Sequence, residues 1–127
     1  MEKKIVNTSK APAPIGPYSQ AVQVGNLLFI SGQVAINPAT NNVEATDVTA
    51  ETQQVMINLQ AILQEAGTDF NSVVKTTIFL SDMSLFARVN EIYGSFFSSS
   101  FPARETVAVK GLPKNVNVEI SMIAAIG

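Results

Sequence analysis

Two charged side chains lie in stretches that otherwise read as apolar strands, and they are the strongest candidates for chemistry. Arg104 follows Pro102-Ala103 and enters a run rich in valine and alanine. A charge directed into so apolar a sheet needs a partner. The partner is either a carboxylate of this chain, Glu105 or Glu119, or the carboxylate or phosphate of a ligand, which a guanidinium binds through two parallel hydrogen bonds. The spacing favours neither alternative.

Glu119 stands between Val118 and Ile120 inside the last strand-like stretch. Carboxylates are rarely buried unless they are paired. The residue is therefore either a solvent-facing side chain on an edge strand, which the pattern favours slightly, or a general acid–base that positions water. Burial would raise its pKa towards neutrality, and a nearby Arg104 would lower it.

Composition narrows the chemistry further. The 127 residues include no cysteine and no histidine, which excludes disulfides, thiol catalysis, Ser-His-Asp triads and the usual His/Cys zinc site. Acid–base work must therefore fall to a carboxylate, a lysine, a tyrosine or water. The chain also lacks a glycine-rich phosphate loop. We expect no metal and no cofactor.

The distribution of charge and hydropathy indicates the class of protein. The net charge is −2 and no stretch is rich in lysine or arginine, which argues against a nucleic-acid partner because phosphate neutralisation supplies most of that affinity. No apolar run approaches the ~20 residues that span a bilayer, and no apolar segment follows the basic start. We therefore expect a cytoplasmic protein without a signal peptide or membrane segment. Charged residues make up only 14%, which favours self-association.

Hydrophobic periodicity predicts five strands and two helices that would position these residues. In chain order, the predicted elements are strands at 21–24 and 27–31, a helix over about 50–66, a strand at 73–80, a second helix whose apolar stripe runs from 85 to 97, and strands at 106–110 and 116–125. This order predicts an α+β fold with a mixed sheet and two helices on one face. The opposite face would carry Phe79 or Ile78, and covering it with other copies predicts a homo-oligomer.

Turn and cap residues support these boundaries. Gly25-Asn26 suits a two-residue hairpin turn, and the proline-rich residues 11–17 before it predict an extended lead-in. Asp47 or Thr49 can cap the first helix, and Gly67 can end it.

The second helix follows a cap at Ser81 or Asp82, and Asn90 lies about 80° from the centre of its apolar stripe. That position is typical of a polar residue at a helix edge with no further task. The last strand alternates between two faces. Its apolar face carries Val118, Ile120 and Met122, and its other face carries Asn117, Glu119 and Ser121.

Several motifs, in order along nearly the whole chain, resemble the RidA/YjgF family, whose relatives also carry the label L-PSP endoribonuclease. The resemblance treats residues 1–127 as a single domain. The motifs are Ile15-Gly16-Pro17-Tyr18-Ser19-Gln20-Ala21, Phe29-Ile30-Ser31-Gly32-Gln33, Val74-Lys75-Thr76-Thr77, Val89-Asn90 with Tyr93, Phe101-Pro102-Ala103-Arg104, Leu112-Pro113-Lys114 and Val118-Glu119-Ile120.

The resemblance implies a chorismate-mutase-like α+β fold that assembles as a homotrimer with sites in clefts between subunits. It implies cofactor-free hydrolysis of 2-imino acids, released by pyridoxal-phosphate enzymes such as threonine dehydratase, to 2-keto acids and ammonia. By position, Arg104 matches the arginine that binds the substrate carboxylate, and Glu119 matches the glutamate that orients water. The matching pocket positions are Tyr18, Ser31, Gly32, Asn90 and Thr106.

Three residues depart from the family pattern. Thr106 stands where many members carry cysteine, Ser121 replaces a second glutamate, and Glu105 follows Arg104 where serine is usual. Strand alternation should turn Glu105 away from Arg104. Two other functions stay open: a regulatory module that binds a small carboxylate without turning it over, and an endoribonuclease, which the acidic balance and missing histidines disfavour.

Overall fold

The computed structural model describes residues 2–127, which form eight strands and two α-helices. Three short 3-10 turns lie between them. The elements are β1 (Lys3–Val6), β2 (Ala21–Val24), β3 (Leu27–Gln33), β4 (Ile36–Asn37), β5 (Asn42–Val43), α1 (Val48–Glu65), β6 (Val73–Leu80), α2 (Phe86–Gly94), β7 (Ala103–Ala108) and β8 (Val118–Ala125), with turns at Phe70–Ser72, Met83–Leu85 and Pro113–Asn115.

Six strands form one mixed sheet in the order β1-β2-β3-β8-β6-β7, and β4 pairs with β5 in a separate two-stranded ribbon. Only β6 and β7 run parallel within the described sheet, because the chain crosses between them through α2. Both helices pack together over one face. The predicted α+β architecture is therefore confirmed.

The core lies between that face and the helices. Along β8, Val118, Ile120, Met122 and Ala124 are buried while the residues between them are not, so the predicted alternation is confirmed. In α1 the fully buried apolar side chains lie on one face at helical spacing, and they are Val55, Met56, Leu59, Ile62 and Leu63.

The other face of the sheet is uncovered in a single chain. Ile78 is buried beneath the helices, whereas Phe79 points to the uncovered face. Exposed apolar side chains there include Ile5, Phe29 and Val107, with 50%, 43% and 42% of their surface accessible. We name this surface the open face.

The ends of α1 follow from local hydrogen bonding. Asp47 Oδ1 accepts from the Ala50 N–H at 2.8 Å, so Asp47 rather than Thr49 is the cap. After the helix, Gly67 adopts a φ of +82°, and the N–H groups of Gly67 and Thr68 donate to carbonyls of the last turn. Glycine tolerates that conformation without steric penalty.

Several predicted boundaries were wrong. The second helix ends at Gly94 rather than reaching residue 97, because the serine-rich stretch that follows has weak helix propensity; Phe97 is still buried against Phe70 and Tyr93. The strand predicted at 106–110 begins at Ala103 and ends at Ala108. β3 continues to Gln33 through a bulge.

Two further differences concern strand ends. β1 was not predicted, since its two lysines hide the alternation of a short edge strand. The last strand begins at Val118 rather than 116, because the N–H groups of Asn117 and Val118 bind a side chain of α1. Within residues 2–127, neither helix has the length and apolar character needed to cross a membrane.

Candidate functional site

The guanidinium of Arg104 is held by side chains of α2. Its Nη1 donates to Asn90 Oδ1 at 2.6 Å. Its Cζ lies 5.3 Å from the ring centroid of Tyr93 and 5.6 Å from that of Phe86, within the range of cation–π attraction. These contacts fix the orientation of the guanidinium and leave further N–H donors for a ligand. We name Arg104, Asn90, Tyr93 and Phe86 the arginine group.

No carboxylate neutralises Arg104 among residues 2–127. Glu105 instead forms a salt bridge with Lys75, at 3.3 Å between Nζ and Oε1. Because Glu105 pairs with Thr77 and Arg104 with Thr76 in the parallel ladder, the two side chains point to opposite faces. The alternative of a structural salt bridge to Glu105 is thereby excluded within the chain.

A pocket of about 450 Å³ opens beside the arginine group. It lies between α2 and the start of β7, and its lining comprises Asn90, Tyr93, Gly94, Phe101, Pro102 and Arg104. Burial raises the pKa of the Tyr93 hydroxyl, which stays neutral and donates to Thr76 Oγ1 at 3.0 Å. One guanidinium among aromatic walls suits a small anion that carries an apolar group.

Thr106 lies two residues beyond Arg104 on the same face of β7, because it pairs with the buried Ile78. Its Oγ1 is buried and has no hydrogen-bond partner within the described part of the chain. A buried hydroxyl without a partner is costly. Within residues 2–127, however, the lining of the pocket at Arg104 does not include Thr106, so this buried hydroxyl does not reach that pocket in a single chain.

Glu119 is half-buried on the open face. Its strand, β8, lies between β3 and β6, so the alternative of an edge strand is wrong. Burial raises the pKa of the Glu119 carboxyl above its ordinary value, which is the direction that suits a general acid–base.

The Glu119 carboxyl lies directly over Gly32. A Cβ atom at Gly32 would lie 2.8 Å from Cδ and 3.0 Å from Cγ of Glu119, closer than such atoms approach in proteins. Gly32 belongs to the bulge where β3 and β8 lose register. The absence of a side chain at Gly32 therefore decides where the Glu119 carboxyl can lie.

Ser31 lies within this bulge, and Tyr18 directly precedes Ser19, which Ser31 contacts. Ser31 Oγ donates to the Ser19 carbonyl at 2.6 Å, and the Ser31 N–H donates to the Gln20 carbonyl. About half of the surface of Tyr18 is accessible to solvent. We name Glu119, Gly32, Ser31 and Tyr18 the glutamate group.

The two groups lie on opposite faces of the same sheet. Arg104 pairs with Thr76, which is fully buried beneath α2. Glu119 pairs with Phe79, which points to the open face. Paired residues share a face. One chain therefore places Arg104 beside Asn90, with Thr106 on the same face of β7, and it places Glu119 over Gly32 on the opposite face of the sheet.

Sequence reasoning missed Phe86 and Tyr93 as supports for Arg104. Phe86 precedes Asn90 by four residues and Tyr93 follows it by three, so all three share one face of the helix. That spacing was a usable signal, because a polar residue flanked by aromatic ones at a helix edge can hold an arginine. No cluster of three or more acidic side chains that could hold a metal occurs within residues 2–127.

Comparison with known proteins identifies the family. The family model described as Endoribonuclease L-PSP matches residues 8–126. The chain belongs to this family, which includes the RidA/YjgF proteins. A mouse protein named 2-iminobutanoate/2-iminopropanoate deaminase is 50% identical over 98% of this chain and 93% of its own.

Solved structures of family members agree in fold. A Rid-family protein from Yersinia pestis is 44% identical and superposes with a TM-score of 0.96, covering 98% of this chain and 100% of its own. The YjgF gene product of E. coli is 45% identical with a TM-score of 0.92, covering 96% of this chain and 98% of its own. The RidA/YjgF resemblance inferred from the motifs is thus confirmed.

Proposed function

We propose that this protein hydrolyses small 2-imino acids to 2-keto acids and ammonia without a cofactor. The observation that carries the proposal is the uncompensated guanidinium of Arg104, held by Asn90 at 2.6 Å beside an aromatic pocket. A 2-imino acid has a planar carboxylate next to its reacting carbon, and a guanidinium fork matches that group. The deaminase name of the mouse relative supports this substrate class.

In the proposed reaction, Arg104 binds the carboxylate and thereby fixes the imine carbon. Glu119 accepts a proton as water adds to that carbon and its C=N double bond becomes a single bond. The same carboxyl returns that proton to the nitrogen to give a carbinolamine. It then transfers the remaining hydroxyl proton to the nitrogen as the C–N bond breaks, the C=O bond forms and ammonia leaves. The raised pKa of Glu119 suits a group that both accepts and donates the proton.

This reaction requires Arg104 and Glu119 in one site, whereas a single chain holds them on opposite faces. We propose that a homotrimer joins the arginine group of one copy to the glutamate group of the next. Arg104 lies on β7, at the edge of the sheet, and the open face supplies apolar surface for a neighbouring copy. A closed ring with such head-to-tail contacts would contain three equivalent sites.

The activity is tested by generating the unstable imine substrate in the assay with a second enzyme. A pyridoxal-phosphate dehydratase acting on threonine releases the unstable imine, and 2-ketobutyrate and ammonia are followed over time. We expect the protein to accelerate the release of both products beyond the spontaneous rate. An unchanged rate at high protein concentration contradicts the proposal.

The shared site predicts that two inactive variants restore activity when they assemble together. Light scattering should first give three times the 13.5 kDa chain mass. Arg104→Ala and Glu119→Gln chains, mixed equally and reassembled from denaturant, should then regain about a quarter of the wild-type rate, because a quarter of the interfaces in a random ring pair two intact groups. A monomer mass, or no recovery from a confirmed mixed trimer, would rule out the shared site.

The contact between Gly32 and Glu119 predicts a separate effect. Gly32→Ala should keep its fold, because the flexible Glu119 carboxyl can swing away from the new Cβ, but kcat should fall by about 10-fold or more because the water-positioning group moves. Gly111→Ala is the control, since no atom lies within 4 Å of a Cβ there. Equal rates for both variants would show that Gly32 does not set the position of Glu119.

One observation favours a second candidate, a module that binds a small carboxylate without reaction. Within one chain the pocket at Arg104 contains no carboxylate that could act as a base. If the protein binds 2-ketobutyrate with thermal stabilisation yet releases no ammonia from the imine, this second function replaces the first. The endoribonuclease label of the family gains no support from the net charge of −2.

A further inference from the structure

A second carboxylate, Glu51, is buried in the first turn of α1 and belongs to neither group. Only 5% of its surface is accessible. Its Oε2 accepts the N–H groups of Asn117 and Val118 at 2.7 and 2.8 Å, and its Oε1 accepts Asn117 Nδ2 at 3.1 Å. No lysine or arginine of residues 2–127 pairs with it. Three neutral donors therefore compensate this buried charge.

The segment that Glu51 holds connects β7 to β8 and has an unusual backbone. Lys114 and Asn115 adopt successive left-handed conformations, with φ of 59° and 56°, which non-glycine residues rarely occupy. Two residues later, Asn117 is bound by Glu51 and also accepts a hydrogen bond from Ser81 Oγ at 2.8 Å. These contacts fix the chain as it leaves the turn.

The hydrogen bonds from Asn117 and Val118 to Glu51 lie where β8 has no partner strand on its β3 side. β8 pairs with β6 from Val118 onwards, but its pairing with β3 begins only at Ile120, beyond the bulge. Glu51 thus binds the start of β8 on a stretch that β3 does not support. Glu119 is the next residue after the two N–H groups that Glu51 accepts.

We propose that Glu51 is a positioning residue for Glu119, fixing the start of β8 so that the Glu119 carboxyl stays over Gly32. The inference rests on the proposed function for its catalytic consequence. Loss of the Glu51 carboxylate frees the N–H groups of Asn117 and Val118, and Glu119 moves with them. A misplacement of about 1 Å can reduce the rate of an enzyme by about 10²-fold.

Two substitutions of Glu51 distinguish the effect of its hydrogen bonds from the effect of its negative charge. Glu51→Ala removes every acceptor. Glu51→Gln keeps a carbonyl oxygen that can accept both backbone N–H groups and loses only the bond from Asn117 Nδ2, so it should rescue the function without the charge. Asp47→Ala is the matched control, because it weakens the same helical turn by removing the bond to the Ala50 N–H and leaves the contacts to β8 intact.

We expect Glu51→Ala to lower kcat per folded molecule by about 10-fold or more. Binding of 2-ketobutyrate should be unchanged, because Arg104 and not Glu119 binds the carboxylate in the proposed site. We also expect the pKa of Glu119, followed by NMR of its carboxyl carbon, to fall towards the ordinary 4.5 as the side chain loses burial. Glu51→Gln and Asp47→Ala should keep both values near those of the wild type. If Glu51→Ala does not fold, Glu51→Asp is measured instead. Its side chain is one methylene shorter and should not reach the N–H groups of Asn117 and Val118, so we expect the same fall in kcat and in the pKa of Glu119.

A wild-type kcat in the folded Glu51→Ala variant would overturn the inference, and so would an equal loss in Asp47→Ala or in Glu51→Gln. Failure of the proposed function is distinguishable from these results. If the wild type does not hydrolyse imines at all, the NMR titration still decides, because it requires no turnover. An unchanged pKa of Glu119 in the variant would then show that Glu51 does not position it.

Discussion

Arg104→Ala should nearly abolish imine hydrolysis while the protein stays folded. A charge-assisted hydrogen bond contributes roughly 1.5–3 kcal/mol, so losing two of them and the alignment they give should reduce kcat/KM by about 10²-fold or more. Stability should fall little, because Arg104 is half-buried and balances no carboxylate among residues 2–127. Its bond to Asn90 and its contacts with two rings are the interactions lost.

Arg104→Lys tests the fork geometry. Lysine keeps the positive charge but cannot make two parallel hydrogen bonds to one carboxylate. We expect this variant to be clearly impaired, with a rate between those of the wild type and Arg104→Ala.

The chain offers a matched control, since its only other arginine is Arg88. Arg88 also lies on α2, and its Nη1 donates to Thr49 Oγ1 at 2.9 Å. Arg88→Ala should keep wild-type activity. Melting temperature, activity and 2-ketobutyrate binding must be measured on the same preparations. A destabilised Arg104→Ala protein whose folded fraction turns over normally would show that the arginine is structural.

Glu119→Gln should retain the fold and bind 2-ketobutyrate but lose most turnover. An amide cannot accept the proton of the attacking water, and general acid–base groups contribute about 10²–10⁴-fold in rate. Glu105→Gln is the control, because Glu105 is an exposed carboxylate that faces the same side of the sheet. Imine hydrolysis close to the wild-type rate in Glu119→Gln would mean that another group activates the water.

The pH dependence of stability gives this variant a second signature. Burial raises the pKa of folded Glu119 above its ordinary 4.5, so the folded state favours the protonated carboxyl. The stability that this preference contributes is present below pH 4.5 and is lost as the pH rises through the raised value. Glutamine is never ionised, so Glu119→Gln should melt above the wild type at pH 7 and close to it at pH 4. A lower melting temperature at pH 7 would mean that Arg104 of the neighbouring copy lowers the pKa of Glu119 more than burial raises it.

The sequence by itself determined the chemistry that is possible and much of the architecture. Without histidine or cysteine, only a few kinds of residue can transfer protons. The alternation around Glu119 turned it away from the buried side chains, and the structure confirms that orientation. The predicted strand at 73–80 matches β6, and the cap at Asp47 and the glycine after α1 are local signals that the structure also confirms.

Only the tertiary structure decided which candidate residues lie together. Alternation assigns side chains to faces within one strand, but the face shared by two strands depends on strand order and register, which are set by contacts between residues far apart in sequence. The pairing of Arg104 with Thr76 and of Glu119 with Phe79 therefore could not be read from the sequence. The same holds for Gly32 beneath Glu119 and for Glu51, which lies 66 residues before the N–H of Asn117 that it accepts. Each of these contacts forms only when helix and strands pack around one core.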